Sequence, residues 1–99
     1  MSIYKNIDYK EGIANGIPKS TMGRLRMYIE KKRDPGGFLT AVLENKLHES
    51  LTKADRGNLK AIKEIVAWVY WQAPGNCWGS PEEVDTWLDE DELLTFTRV

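Results

Sequence analysis

Ninety-nine residues make one domain around one core and leave no room for a second. With 41% hydrophobic and 29% charged residues, the chain reads as a folded domain rather than a disordered tail. A lone cysteine, Cys77, excludes an internal disulfide and favours a reducing compartment; no apolar run reaches the ~18 residues of a membrane span, and the first ten residues have no apolar leader core.

The net charge of −1 hides an asymmetry. Residues 1–63 carry thirteen Lys and Arg against seven Asp and Glu, whereas residues 64–99 carry one basic residue, Arg98, against eight acidic ones. The chain is therefore a dipole along its sequence. A basic half can receive an anionic ligand, an acidic half can imitate one, or the halves can complement each other within the fold or between subunits.

Residues 1–19 lack a helical period and read as an N-terminal arm, with a short strand or turn of helix, pinned by its Ile and Tyr side chains. Pro18 biases Ile17 toward extended backbone, and Ser20 or Thr21 is placed to cap a helix over about 21–32. Met22, Leu25 and Ile29 give that helix an apolar face, and Arg24, Arg26, Lys31, Lys32 and Arg33 give it a basic outer one. Asp34-Pro35 then caps and starts a second helix over roughly 35–50, with Leu39, Val42, Leu43 and Leu47 as its stripe. A third helix, capped by Asp55 and spanning about 56–72, carries Leu59, Ile62, Ile65, Val66 and Val69 at helical period. It ends in Trp68, Tyr70, Trp71 and the stop Ala73-Pro74-Gly75. Ser80-Pro81-Glu82-Glu83 is a capping box for a fourth helix, about 81–90, that buries Val84, Trp87 and Leu88. Residues 91–99 form a tail with Leu93, Leu94 and Phe96. The expected fold is all-α: a compact bundle of about four helices over 20–90, with an N-terminal arm and an apolar C-terminal tail, in one domain spanning 1–99.

Metal-ligand spacing is absent, since His48 is the only histidine and Cys77 the only cysteine, and neither belongs to a pair at ligand spacing. His48, between Leu47 and Glu49, is a poor partner for a nucleophile, and the carboxylates at 82–92 read as a solvated helix face rather than an acid–base pair. No catalysis, metal or cofactor is expected.

Two helix starts carry more information. At Pro35-Gly36-Gly37 the glycines let a phosphate approach the backbone closely, or else permit tight helix–helix packing. At Gly79-Ser80 the amides are expected to be satisfied by Ser80 and Glu83. The four Trp crowd into twenty residues; Trp78, beside Asn76 and Gly79, can stack on a base, lid a pocket or pack the loop onto the bundle.

The stretch Pro35-Gly36-Gly37-Phe38-Leu39-Thr40-Ala41-Val42-Leu43-Glu44-Asn45, followed by Ala54-Asp55, Asn58, Pro74 and Cys77-Trp78-Gly79-Ser80, resembles a group of small phage and prophage proteins over about residues 17–88. The chain departs from their pattern at Lys46, where Asp is common. The resemblance implies a phage-encoded accessory protein in the cytoplasm of the bacterial host, of a size at which phages make inhibitors: proteins that sequester nucleotide immune signals, block host enzymes or bind nucleic acid. The expected function is thus non-enzymatic counter-defence, a homo-oligomer that sequesters a small anionic, nucleotide-type signal. Arg24, Arg26, Gly36 and Gly37 would hold the phosphate and Tyr28 or Trp78 the base, with Asn45 and Ser80 completing the pocket. The alternative is an inhibitor that binds a host protein through the acidic segment 82–92 and the residues after it. Direct nucleic-acid binding fits the net charge least.

Overall fold

The computed structural model describes residues 7–97, and the side chains of residues 7–89. Among the described residues the chain is all-helical, with seven α-helices and one 3-10 turn: α1 (Tyr9–Ala14), α2 (Lys19–Lys31), α3 (Gly37–Leu43), α4 (Leu47–Lys53), α5 (Arg56–Lys60), α6 (Ile62–Gln72), the turn Gly75–Cys77, and α7 (Pro81–Thr97). No helix of the described residues is long and apolar enough to cross a membrane.

The expected arm contains α1. Asp8 caps it by accepting from the Glu11 amide at 3.0 Å, and the helix is fastened to α6 by polar bonds as much as by apolar contact. Trp68 Nε1 donates to the Asp8 carbonyl at 2.9 Å, Gln72 Nε2 donates to Glu11 Oε1 at 2.8 Å, and the Tyr9 ring lies 5.5 Å from that of Trp68. Gly12 permits α1 to approach α2 and α6 together, because a β-carbon there would fall 2.6 Å from Met22 Sδ and 3.2 Å from Trp68 Cδ1. Residues 1–6 lie outside the described residues.

In α2 the apolar face is as read, with Met22, Leu25 and Ile29 buried. Its start differs. Pro18 occupies the cap position, no side chain caps the helix, and the Thr21 hydroxyl is turned inward to donate to Asn58 Oδ1. The helix ends at Lys32 in the left-handed region, φ 55, and the Lys32 ammonium lies over the Trp87 ring.

Two of the four expected helices are broken, which corrects the count. The second runs as α3 and α4, because Asn45 takes φ 65 and Lys46 N donates to Ala41 O at 2.9 Å, a left-handed closure that Asn tolerates and that satisfies the last carbonyls of α3. The third runs as α5 and α6, interrupted at Ala61, whose amide is shared between Gly57 O and Asn58 O. Each break shifts the apolar stripe. Leu39, Val42 and Leu43 are buried, but Leu47 is exposed; Ile65 and Val69 are buried, but Leu59 and Val66 are exposed. Asp34 does not cap a helix either. Gly36, at φ 94, cannot continue into an α-helix toward Pro35, so α3 starts at Gly37 and the Asp34 carboxylate closes a turn by accepting from the Gly36 amide at 2.8 Å.

Asp55 and Ser80 do act as caps, accepting from Asn58 N at 2.8 Å and Glu83 N at 3.2 Å. The fourth helix is longer than expected: α7 continues to Thr97, so residues 91–97 are helix rather than a separate tail. The side chains of the expected apolar tail lie outside those described. Val84 and Trp87 are buried, as read, and close the core with Tyr28, Ile29, Leu43 and Cys77.

Candidate functional site

α2, the turn before α3, the end of α4 and the start of α5 meet around a polar cleft of about 240 Å³. Ser20, Thr21 and Arg24 come from α2; Pro35, Phe38 and Leu39 form an apolar wall; Lys53, Asp55 and Asn58 close the far side. The two cations converge on the glycines. A β-carbon on Gly36 would stand 3.0 Å from Arg24 Nη1, and one on Gly37 would stand 3.6 Å from Lys53 Cδ and 3.9 Å from Lys53 Nζ. Arg24 makes no ion pair among the described residues, and Lys53 reaches Glu49 only at 3.7 Å between exposed groups, a pairing of little strength in water.

The cleft's carboxylate is already engaged: Asp55 caps α5 through Asn58 N, and Asn58 in turn accepts the Thr21 hydroxyl. The walls are thus fixed in position by bonds among themselves, leaving two long cationic side chains facing a backbone with no β-carbon. That arrangement suits an anion held by charge, with hydroxyl and amide groups for a sugar or base and Phe38 as an apolar face.

The expected site residues separate into four places. Arg24, Gly36 and Gly37 meet at the cleft, although the Gly36 amide is taken by Asp34 and is not offered to a ligand. Arg26 faces away from it, pairing with Glu30 at 3.5 Å and stacking over the Tyr9 ring. Tyr28 is a correction: it is fully buried, its hydroxyl donates to Cys77 O, and burial pushes its pKa above the ordinary range, so it has no surface to offer a base. Ser80 is occupied as the cap of α7.

Asn45 and Trp78 line a different feature, an apolar groove of about 340 Å³ between α4 and α6. Trp78 packs edge-on against Tyr70 there, with ring centres 5.9 Å apart. At the groove's mouth Lys46 is bonded to Glu44 at 3.1 Å, and this bond raises its pKa. Cleft and groove share no residue.

Lys53, Thr21 and Asn58 were not read as site residues. Asn58 stood in the resemblance pattern and Asp55 was legible as a cap, but nothing local to Lys53 distinguishes it from the other exposed lysines. Among the described residues no group of His, Cys, Asp and Glu is placed to hold a metal ion. Compared with protein-family models, curated proteins and solved structures, the chain matches none.

Proposed function

We propose that this chain is a non-enzymatic binder that holds a small anionic, nucleotide-type molecule in the cleft between α2 and α5. The observation that carries the reading is the convergence of Arg24 and Lys53 on the side-chain-free Gly36–Gly37 turn, beside Thr21, Asn58 and Phe38. The phosphate would lie between the two cations and against Gly37, and the less charged part of the ligand along Phe38. With the resemblance to small phage proteins, the chain is proposed as a counter-defence protein that would sequester an immune signal in the cytoplasm of the bacterial host as a homo-oligomer.

Native mass spectrometry of protein purified from bacterial cells tests the proposal directly. Wild-type protein is expected to retain a mass that matches a nucleotide, and Arg24→Glu to lose it while keeping its helical circular dichroism. Equal retention by both proteins, or counter-defence activity that survives Arg24→Glu but is lost on truncation after Asp89, overturns the proposal and transfers the function to the acidic face of α7.

A further inference from the structure

We propose that the apolar groove between α4 and α6 seats a second copy of this chain, which enters it with the acidic, leucine-containing end of its α7. The site is separate from the anion cleft.

The groove is an unpartnered surface of unusual composition. Leu47, Leu51, Val66, Tyr70 and Trp78 line it, and Leu47 is 72% exposed, Tyr70 60% and Val66 51%. Scattered exposed apolar side chains are ordinary, but a contiguous concave set is a binding surface. α6 inherits this from its sequence. Ile65, Trp68 and Val69 face the core, yet Val66 and Tyr70 on the groove side are also apolar and exposed.

Charge selects the occupant. Lys63 and Lys46, the latter already paired with Glu44, are the charged residues that line the groove, so a fitting segment has carboxylates followed by apolar residues. Glu82-Glu83-Val84 is one such run, but Val84 and Trp87 are buried in the core; the other is Asp89-Glu90-Asp91-Glu92-Leu93-Leu94-Thr95-Phe96, within the α7 that continues to Thr97. This also gives a use to the opposite charges of the two halves of the sequence.

The helix that carries the run is held away from α4 and α6 by its own contacts. α7 begins at Pro81, three residues after Trp78 of the groove wall, and is anchored at Trp87, whose indole N–H donates to Tyr28 O at 2.9 Å. A continuous helix of 17 residues spans about 25 Å at 1.5 Å per residue, and its main contacts among the described residues are with the 3-10 turn and α3 rather than with α4 and α6. A neighbouring copy then supplies the end, and a contact of this head-to-tail kind makes a ring where the rotation closes and a filament where it does not.

Sedimentation velocity on the full chain at high micromolar concentration decides the matter, with circular dichroism as a check on folding. Wild-type protein is expected to sediment as a discrete assembly, and the double variant Lys46→Glu/Lys63→Glu to dissociate by about tenfold or more at low salt. Adding Asp89→Lys and Asp91→Lys to that variant should restore association by reversing both sides. A monomeric wild type, an association unaffected by the double variant, or a failure of the fourfold variant to recover overturns the proposal. The first outcome would assign the groove to a foreign partner.

Discussion

The Tyr28 hydroxyl donates to the Cys77 carbonyl oxygen at 2.6 Å, across 49 positions of the chain and in the buried core. The bond joins the last turn of α2 to the 3-10 turn that precedes α7, while the Tyr28 carbonyl accepts from Trp87 further along α7. One residue thus fixes both the start and the direction of the last helix.

Tyr28→Phe removes the hydroxyl and leaves the Cys77 carbonyl buried without its donor. The expected loss is about 1–3 kcal/mol of folding stability, the usual cost of an unsatisfied buried acceptor, read from urea denaturation. Ligand retention should be unchanged, because Tyr28 is fully buried and outside the cleft. Lost retention with unchanged stability would return Tyr28 to the binding site.

Ser80→Ala is expected to cost about 1 kcal/mol, because the Ser80 hydroxyl satisfies the Glu83 amide in the first turn of α7. Thermal denaturation measures it. Since Ser80 is spent on the cap, nucleotide retention should persist; a variant with an unaltered melting temperature and weakened retention would show that the hydroxyl serves a ligand.

What was legible in the sequence divides by range. The caps at Asp55 and Ser80 and the buried faces of α2 and α7 follow from residues within one or two turns of each other, and local spacing identified them. The break at Asn45 also had a local cue, an Asn able to take the left-handed conformation, but the apolar period through Leu47 outweighed it, and Leu47 consequently faces the groove instead of the core. The cleft is mixed. Gly36 and Gly37 mark themselves as places where side chains are absent, whereas Lys53 and Asn58 reach them only because α4 folds back on α3 and α5 returns to Thr21. Tyr28 was misplaced for the same reason: its partners lie 49 and 59 residues away, and nothing beside it in the sequence reveals them.

Gly37→Val separates binding from folding at the cleft. Gly37 has no left-handed φ, and a β-carbon there meets Lys53 Cδ at 3.6 Å, an ordinary contact. Stability should therefore change by less than about 1 kcal/mol, while the valine methyl groups fill the space between the backbone and the lysine and abolish nucleotide retention. Gly36→Ala should behave differently. At φ 94 an alanine is strained by about 1–2 kcal/mol, so its melting temperature should fall whatever it does to binding. Retention by a folded Gly37→Val protein would show that the anion does not approach Gly37.

The buried thiol makes stability depend on pH in a predictable direction. Burial, opposed by the nearby Lys32 charge, pushes Cys77 from an ordinary 9.0 up to about 12. The unfolded chain therefore releases this proton at lower pH than the folded one. The stabilisation is fully present below about pH 9 and is lost as pH rises from there toward about 12. Within that window the wild type should lose about 1.4 kcal/mol per pH unit through this group, and the buried Tyr28 adds to the loss at its upper end by the same logic. Cys77→Ala is expected to be less stable than the wild type at neutral pH, because a buried sulfur is removed, but to decline more shallowly above pH 9, so the two stability curves converge. Urea denaturation of both proteins between pH 7 and 11 checks this. Parallel curves across that range would mean that the Cys77 thiol ionises as readily in the folded protein as in the unfolded one, contrary to its place in the core.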